Sequence, residues 1–127
     1  MDIQLINNPL LNELHREAQK NVRLRQHDDL RTTTQDSSQR MINALEVRTK
    51  IPIHRHMDAT ETVVFIEGCF DEVFYEELPN VDAGGPVRNG ETALDESVFK
   101  EVARVRICPR EGIFGLQVPK TAWHTIL

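Results

Sequence analysis

The sequence is poor in cysteine, and it lacks long apolar runs. Its two cysteines, Cys69 and Cys108, have neither the number nor the C-x-x-C spacing of a disulfide framework or a zinc knot, so we expect them to pack as small apolar side chains. No apolar run approaches the roughly 20 residues that a membrane-spanning helix needs. The N-terminus lacks the basic and apolar stretches of a secretory signal, which predicts a cytoplasmic protein.

Blocks of positive charge are also absent. The net charge is −5, and lysine and arginine are dispersed, which argues against a nucleic-acid or anionic-membrane surface as partner. The 127 residues suffice for one core, so we predict one structural domain. Composition changes within it: residues 1–38 form a polar N-terminal extension with a helix, and residues 39–127 form a strand-rich domain.

Local patterns predict the elements of both segments. Pro9 suits a first helical turn, and leucines at helical spacing follow it, so we predict a helix from Asn8 to about Gln19. The polar stretch to residue 38 is mostly loop with one short strand. Without helices between them, the later strands must be mainly antiparallel, in a sandwich or barrel. They are Thr62–Ile66, Cys69–Tyr75, Val98–Cys108, Phe114–Val118 and Trp123–Leu127. Arg40–Val47 fits helix or strand, and Leu78–Asp95, with its Pro, Gly and Asn-Gly turn residues, is predicted to form a long loop or an elaborated hairpin turn.

Three histidines of the strand-rich part have the spacing of metal ligands. His54 and His56 are separated by one residue, so on a strand both imidazoles face the same side. Glu61 follows after a short bend, and His124 begins a strand that we expect to lie beside the first. These four residues predict a mixed nitrogen and oxygen site for one divalent transition metal, namely Zn, Fe, Mn or Ni.

Other polar residues carry weaker signals. Arg55 lies between the two histidines and should face the opposite side, where a structural ion pair is the simplest role. His27 and Tyr75 are candidates for lining a pocket or for acting as a base, although a surface histidine is the default for His27. No catalytic residue is assigned.

The spacing of these motifs resembles that of the cupin superfamily. His54-x-His56-x4-Glu61-x6-Gly68 is similar to the first cupin motif, and Pro119-x-Thr121-x2-His124 is similar to the second. The sequence around both motifs resembles the sequences of small bacterial metalloproteins of the WbuC type. This similarity extends back to Arg23–His27 and Gln39–Leu45. The chain departs from the motifs at Arg48 and Thr121, where cupins often have glycine.

This resemblance implies a double-stranded β-helix, the cupin jelly roll, with Arg40–Val47 as a strand. It implies that His54, His56, Glu61 and His124 bind the metal. Two functions fit: a metal-dependent enzyme acting on a small sugar-like or carbonyl compound, linked to surface polysaccharide metabolism, or a non-catalytic metal-dependent binding or sensing module. A metal-free barrel with relic histidines is the third reading. Small cupins often pair through their sheets, so we expect a homodimer.

Overall fold

The protein is mainly β, with one short N-terminal helix, in a computed structural model that describes residues 1–79, 91–93 and 96–127. Its contacts separate two compact units, Met1–Lys50 and Ile51–Leu127. Such units are sets of residues in mutual contact and need not be structural domains, so the domain boundary predicted after residue 38 stays a prediction. Among the described residues, no helix combines the length and apolar character that a membrane crossing requires.

The first unit consists of a helix and a two-stranded antiparallel hairpin. Helix α1 covers Asn8–Lys20, and its first turn is capped by the side chain of Asn7, which accepts a hydrogen bond from the Leu10 N–H at 3.1 Å. The predicted helix is therefore confirmed. Strand β1 (Arg25–Asp29) pairs with β2 (Met41–Leu45), which confirms the strand interpretation of the second segment. The core is small and is formed by Leu14, Ala18 and Ala44, with Leu10 and Ile42 packed against it.

The second unit contains a five-stranded sheet and a two-stranded sheet. The strands are β3 (His54–Arg55), β4 (Glu61–Val64), β5 (Phe70–Glu77), β6 (Glu91–Thr92), β7 (Phe99–Ile107), β8 (Gly115–Val118) and β9 (Trp123–Ile126). The larger sheet has the order β6-β3-β9-β5-β7, and every adjacent pair is antiparallel, as predicted. The smaller sheet pairs β4 with β8. Within the described residues, the strands do not close into a barrel.

The sequence patterns did not predict two of these strands, because each is only two residues long. Strands β3 and β6 pair with each other, and β3 also pairs with β9, so long-range partners define them more than local composition does. Most of the loop predicted at 78–95 lies outside the described residues. Of its remainder, Leu78 donates its N–H to the Val98 carbonyl, and Glu91–Thr92 forms β6.

The expectation that the two cysteines stay unbridged was wrong. Cys69 and Cys108 form a disulfide in the structure. The cause is strand register: Phe70 on β5 faces Ile107 on β7, so the residues just before and just after this pair are also neighbours. The separation of 39 positions in the sequence gives no indication of that register.

Candidate metal centre

The pairing of β3 with β9 brings two of the predicted ligands face to face. His54 on β3 is directly opposite His124 on β9, and their ring centroids lie 4.2 Å apart. Residues directly opposite each other on antiparallel strands project to the same face of the sheet. His124 lies far from His54 in sequence, so this register confirms the expectation that its strand lies beside the first.

His56 completes a group of three imidazoles. It follows His54 by two residues, and its ring centroid lies 5.3 Å from that of His54 and 5.7 Å from that of His124. One ring nitrogen from each of the three histidines lies within 4.8 Å of the other two. Three imidazoles that bind one metal at about 2.1 Å place their nitrogens roughly 3–3.5 Å apart, so small side-chain rotations would suffice.

Hydrogen bonds at Nδ1 fix the tautomer of two histidines of the group. Nδ1 of His54 lies 2.9 Å from the carbonyl oxygen of Pro52, and Nδ1 of His124 lies 2.6 Å from a carboxylate oxygen of Glu72. Because carbonyl and carboxylate oxygens only accept, Nδ1 carries the proton in both rings. Each Nε2 therefore keeps its lone pair, which is the form of imidazole that binds a metal.

Glu72 is the residue of the site that the sequence patterns missed. Its side chain is 1% exposed, and that of His124 is 2% exposed, so the contact between them is fully buried. The alternation along β5 puts Glu72 on the same face as Phe70 and Phe74, and Phe74 is directly opposite His124. An acid between two phenylalanines on one strand face is the signal that points to it.

Three buried polar atoms around this group have no hydrogen-bond partner within the described ranges. They are Nε2 of His56, Nε2 of His124 and Oε2 of Glu72. Leaving a buried acceptor unsatisfied costs about 1–3 kcal/mol per group, and more for a charged one. Two ligand nitrogens and a negative charge buried together without donors are what a bound cation would satisfy, so the residues fit a metal ion.

Glu61 contacts this group through one histidine only. Its Oε2 lies 3.2 Å from Nε2 of His56, close enough for an ion pair but outside hydrogen-bonding geometry. Glu61 is not a member of the close group of ligand atoms, and its side chain is 38% exposed. It begins β4, which pairs with β8 in the smaller sheet, so its position does not depend on the register that joins His54 to His124.

The loop before β9 carries backbone strain next to the site. Thr121 has a φ of 73°, in the left-handed region that disfavours branched side chains, and its N–H donates to the His56 carbonyl oxygen at 2.8 Å. Left-handed backbone costs a non-glycine residue about 1–2 kcal/mol. Glycine would adopt this conformation freely.

Three other predicted residues lie away from the histidine group. The guanidinium of Arg55 lies 4.4 Å from the centre of the Trp123 ring, on the opposite face as expected, in a cation–π contact. Tyr75 packs against the apolar cluster that contains Trp123, and burial, followed by the charge of Glu101, raises the pKa of Tyr75. His27 belongs to the first unit, where it lines a cleft.

Comparison with known proteins gives one match. A family model for a domain of unknown function, DUF6016, matches residues 6–84. The matched stretch includes His54, His56, Glu61 and Glu72, whereas His124 lies beyond it. No curated protein and no solved structure matches the chain. Since the matched residues make up more than half of the sequence, the chain belongs to the DUF6016 family.

Proposed function

We propose that the second unit binds one divalent transition metal through His54, His56 and His124, with Glu61 as a further ligand. The observation that carries this proposal is the buried Nε2 of His124, which has no hydrogen-bond partner in the described part of the chain. A hydrogen bond from its Nδ1–H to Glu72 holds this ring in the metal-binding tautomer. Carboxylate–histidine pairs of this kind are common around metal ligands. Glu61 lies within reach because it already contacts His56.

The same proposal extends to the fold and the family resemblance. We infer that the two antiparallel sheets of the second unit belong to a double-stranded β-helix of the cupin type, with a site similar to that of the WbuC-type proteins. Support comes from the spacing of His54, His56 and Glu61 and from the register that adds His124. The left-handed backbone of Thr121, at a position where the motif often has glycine, is consistent with it.

For the function, we propose a metal-dependent enzyme that acts on a small sugar-like or carbonyl compound. A bound metal would supply Lewis acidity to an oxygen of such a substrate. The His124 side of the group is closed by burial, whereas the His56 and Glu61 side chains are 36% and 38% exposed, so a substrate would approach from their side. Glu72, whose carboxylate contacts His124, keeps that ring in place and its Nδ1 protonated.

The second candidate function is a non-catalytic metal-dependent binding module. The burial of His124 at 2% exposure favours it, since closed sites are typical of structural metals. Cobalt substitution distinguishes the two, because the visible spectrum of bound Co²⁺ reports its coordination. Azide should change that spectrum if a coordination position is open, as the enzyme requires. An unchanged spectrum would favour the binding module and would contradict the enzyme.

Elemental analysis of protein purified without chelators tests the site itself. We expect about one equivalent of a transition metal in the wild type and loss of most of it in His54→Ala and His124→Ala. His15→Ala is the matched control, because His15 lies on α1 in the first unit and is substantially exposed. Full metal content in the double variant of His54 and His56 would overturn the assignment.

The location and the association of the protein are separate questions from its metal site. Disulfides are rare in cytosolic proteins, so the bond between Cys69 and Cys108 weighs against the predicted cytoplasmic location. For the proposed homodimer, light scattering after size exclusion should show about twice the chain mass of 14.6 kDa. A single species at the chain mass would contradict the dimer.

A further inference from the structure

The first unit contains a cleft of about 260 Å³ that is lined entirely by polar and charged side chains. It lies beside the hairpin of β1 and β2, where His27 is directly opposite Asn43. Two arginines contribute positive charge, and none of the described lining residues is acidic. The lining residues are Asn21, Arg23, Arg25, Gln26, His27 and Asn43.

Arg25 is partly buried at the edge of the cleft, and the exposed Arg23 is near enough to affect its charge. Nη1 of Arg25 donates to the Lys50 carbonyl oxygen at 2.7 Å, which fixes that guanidinium. Burial and then the positive charge of Arg23 lower the pKa of Arg25. Two like charges that repel each other at the edge of a cleft would both be stabilised by an anion bound between them.

The backbone between these arginines is also unusual. Leu24 has a φ of 55°, a conformation that is uncommon for a residue other than glycine. The N–H of Leu24 donates to the Asn21 carbonyl oxygen at 2.9 Å, and its own carbonyl accepts the N–H of Glu46 at 3.0 Å. This tight turn lies between Arg23 and Arg25, both of which line the cleft, so it fixes the backbone from which the two side chains extend.

We propose that this cleft binds a small phosphate ester that carries hydroxyl groups. The two guanidinium groups would hold the phosphate, because their planar arrays of N–H donors match phosphate oxygens in pairs. The side-chain amide of Asn43 would hydrogen-bond the hydroxyls, since an amide both donates and accepts. Asn21 would contribute mainly its side-chain N–H groups, because its Oδ1 already accepts the Arg23 N–H at 2.9 Å. This site lies within the first unit and does not depend on the proposed metal centre.

Titration of the full-length protein with glycerol 3-phosphate, followed by amide NMR, tests the proposal. At constant ionic strength, we expect saturable shifts at residues 21–27 and at Asn43. Inorganic phosphate should bind several-fold more weakly, because it lacks the hydroxyls that the amides contact, and glycerol should not bind. Acetate binding as tightly as the ester would overturn the assignment to phosphate, and inorganic phosphate binding as tightly would overturn the role of the amides.

Charge variants test which arginines act. Replacing Arg23→Gln should weaken glycerol 3-phosphate binding by about tenfold or more, as loss of a charge-assisted hydrogen bond predicts. Arg48→Gln is the matched control, because Arg48 is an exposed arginine of the same unit that does not line the cleft. Equal affinities of these two variants would overturn the proposal.

Arg25 needs a different variant because it also contacts the Lys50 carbonyl. Arg25→Lys keeps the charge and removes the paired donors, so we expect intermediate affinity, with unchanged circular dichroism as evidence of folding. Wild-type affinity in Arg25→Lys would exclude paired recognition by this residue. Absence of saturable ester binding in the wild type would refute the site as a whole.

Discussion

Replacing Glu72→Gln removes the buried negative charge beside His124 and changes the shape of the side chain very little. The carboxylate is 1% exposed, and its Oε1 lies 2.6 Å from Nδ1 of His124. The amide oxygen of glutamine can still accept the Nδ1–H, so the ring keeps its orientation and tautomer. What the variant loses is the negative charge that would strengthen this histidine as a metal ligand and that a bound cation would balance.

The expected effect is a weaker metal site in a protein of nearly unchanged stability. Substitutions of such supporting carboxylates typically cost 10–100-fold in metal affinity, or about 1.4–2.7 kcal/mol. In the metal-free protein, glutamine removes a buried charge but leaves amide hydrogens without acceptors, and these effects oppose each other. We therefore expect the free energy of unfolding of the metal-free form to change by less than about 1 kcal/mol.

Glu72→Ala separates charge from packing at the same position. Alanine leaves the Nδ1–H of His124 buried without its acceptor, and losing one partner of a buried pair costs about 3–5 kcal/mol. This variant should therefore lose both stability and metal affinity. Glu76→Gln, an exposed position on the same strand, is the control and should change neither.

Two measurements decide the prediction. Competition with a chromophoric chelator gives the metal dissociation constant, and urea denaturation with and without chelator gives the stability of each form. A Glu72→Gln protein with wild-type metal affinity and a large loss of metal-free stability would refute the reasoning. That result would show that Glu72 serves packing alone.

Two further predictions concern the second unit. Reducing the bond between Cys69 and Cys108 should lower the free energy of unfolding by about 4 kcal/mol, because the bond closes a loop with a sequence separation of 39 residues. Thiol titration should rise from no free thiol to two and so confirm the reduction. Equal urea midpoints of the oxidised and reduced proteins would contradict the prediction. In thermal melts, Gly115→Ala should cost 1–3 kcal/mol or more, because its Cβ would lie 2.2 Å from the Val63 carbonyl oxygen. A Cβ at Gly112 would lie within 4 Å of no described atom, so Gly112→Ala should cost only about 1–2 kcal/mol of left-handed backbone strain. A larger loss of stability in Gly112→Ala than in Gly115→Ala would refute this explanation.

Local patterns in the sequence predicted where the helix and the strands form better than they predicted which strands pair. The helix was predictable because Pro9 and leucines at helical spacing mark it within one turn of its start. Most of the strand Phe70–Glu77 was predictable, because Phe70, Val73 and Phe74 are residues typical of strands and turn residues precede them. Strand β3 was not, because two residues carry no period of their own, and only pairing with β6 and β9 defines it.

The three histidines were predictable as a group, whereas the acid that supports them was not selected. His54 and His56 share a face through local alternation, and His124 has a spacing that resembles a known motif. Glu72 is on a strand whose alternation was visible, but a single acid on a strand is usually solvated. Its burial depends on the pairing of β5 with β9, which is a long-range property.

The register between β5 and β9 places His124 where it contacts Glu72. A slip of one residue in that pairing would move His124 to the face that Trp123 now occupies, because side chains alternate along a strand. His124 would then lose its contact with Glu72, and the buried carboxylate would have no donor. The contact between His124 and Glu72 therefore makes the shifted register less stable. Trp123, which is buried on the other face with Ile53 and Ala93, has the same effect because a shift would remove it from this cluster. Both faces of β9 thus favour the one pairing that joins His124 to His54 and His56.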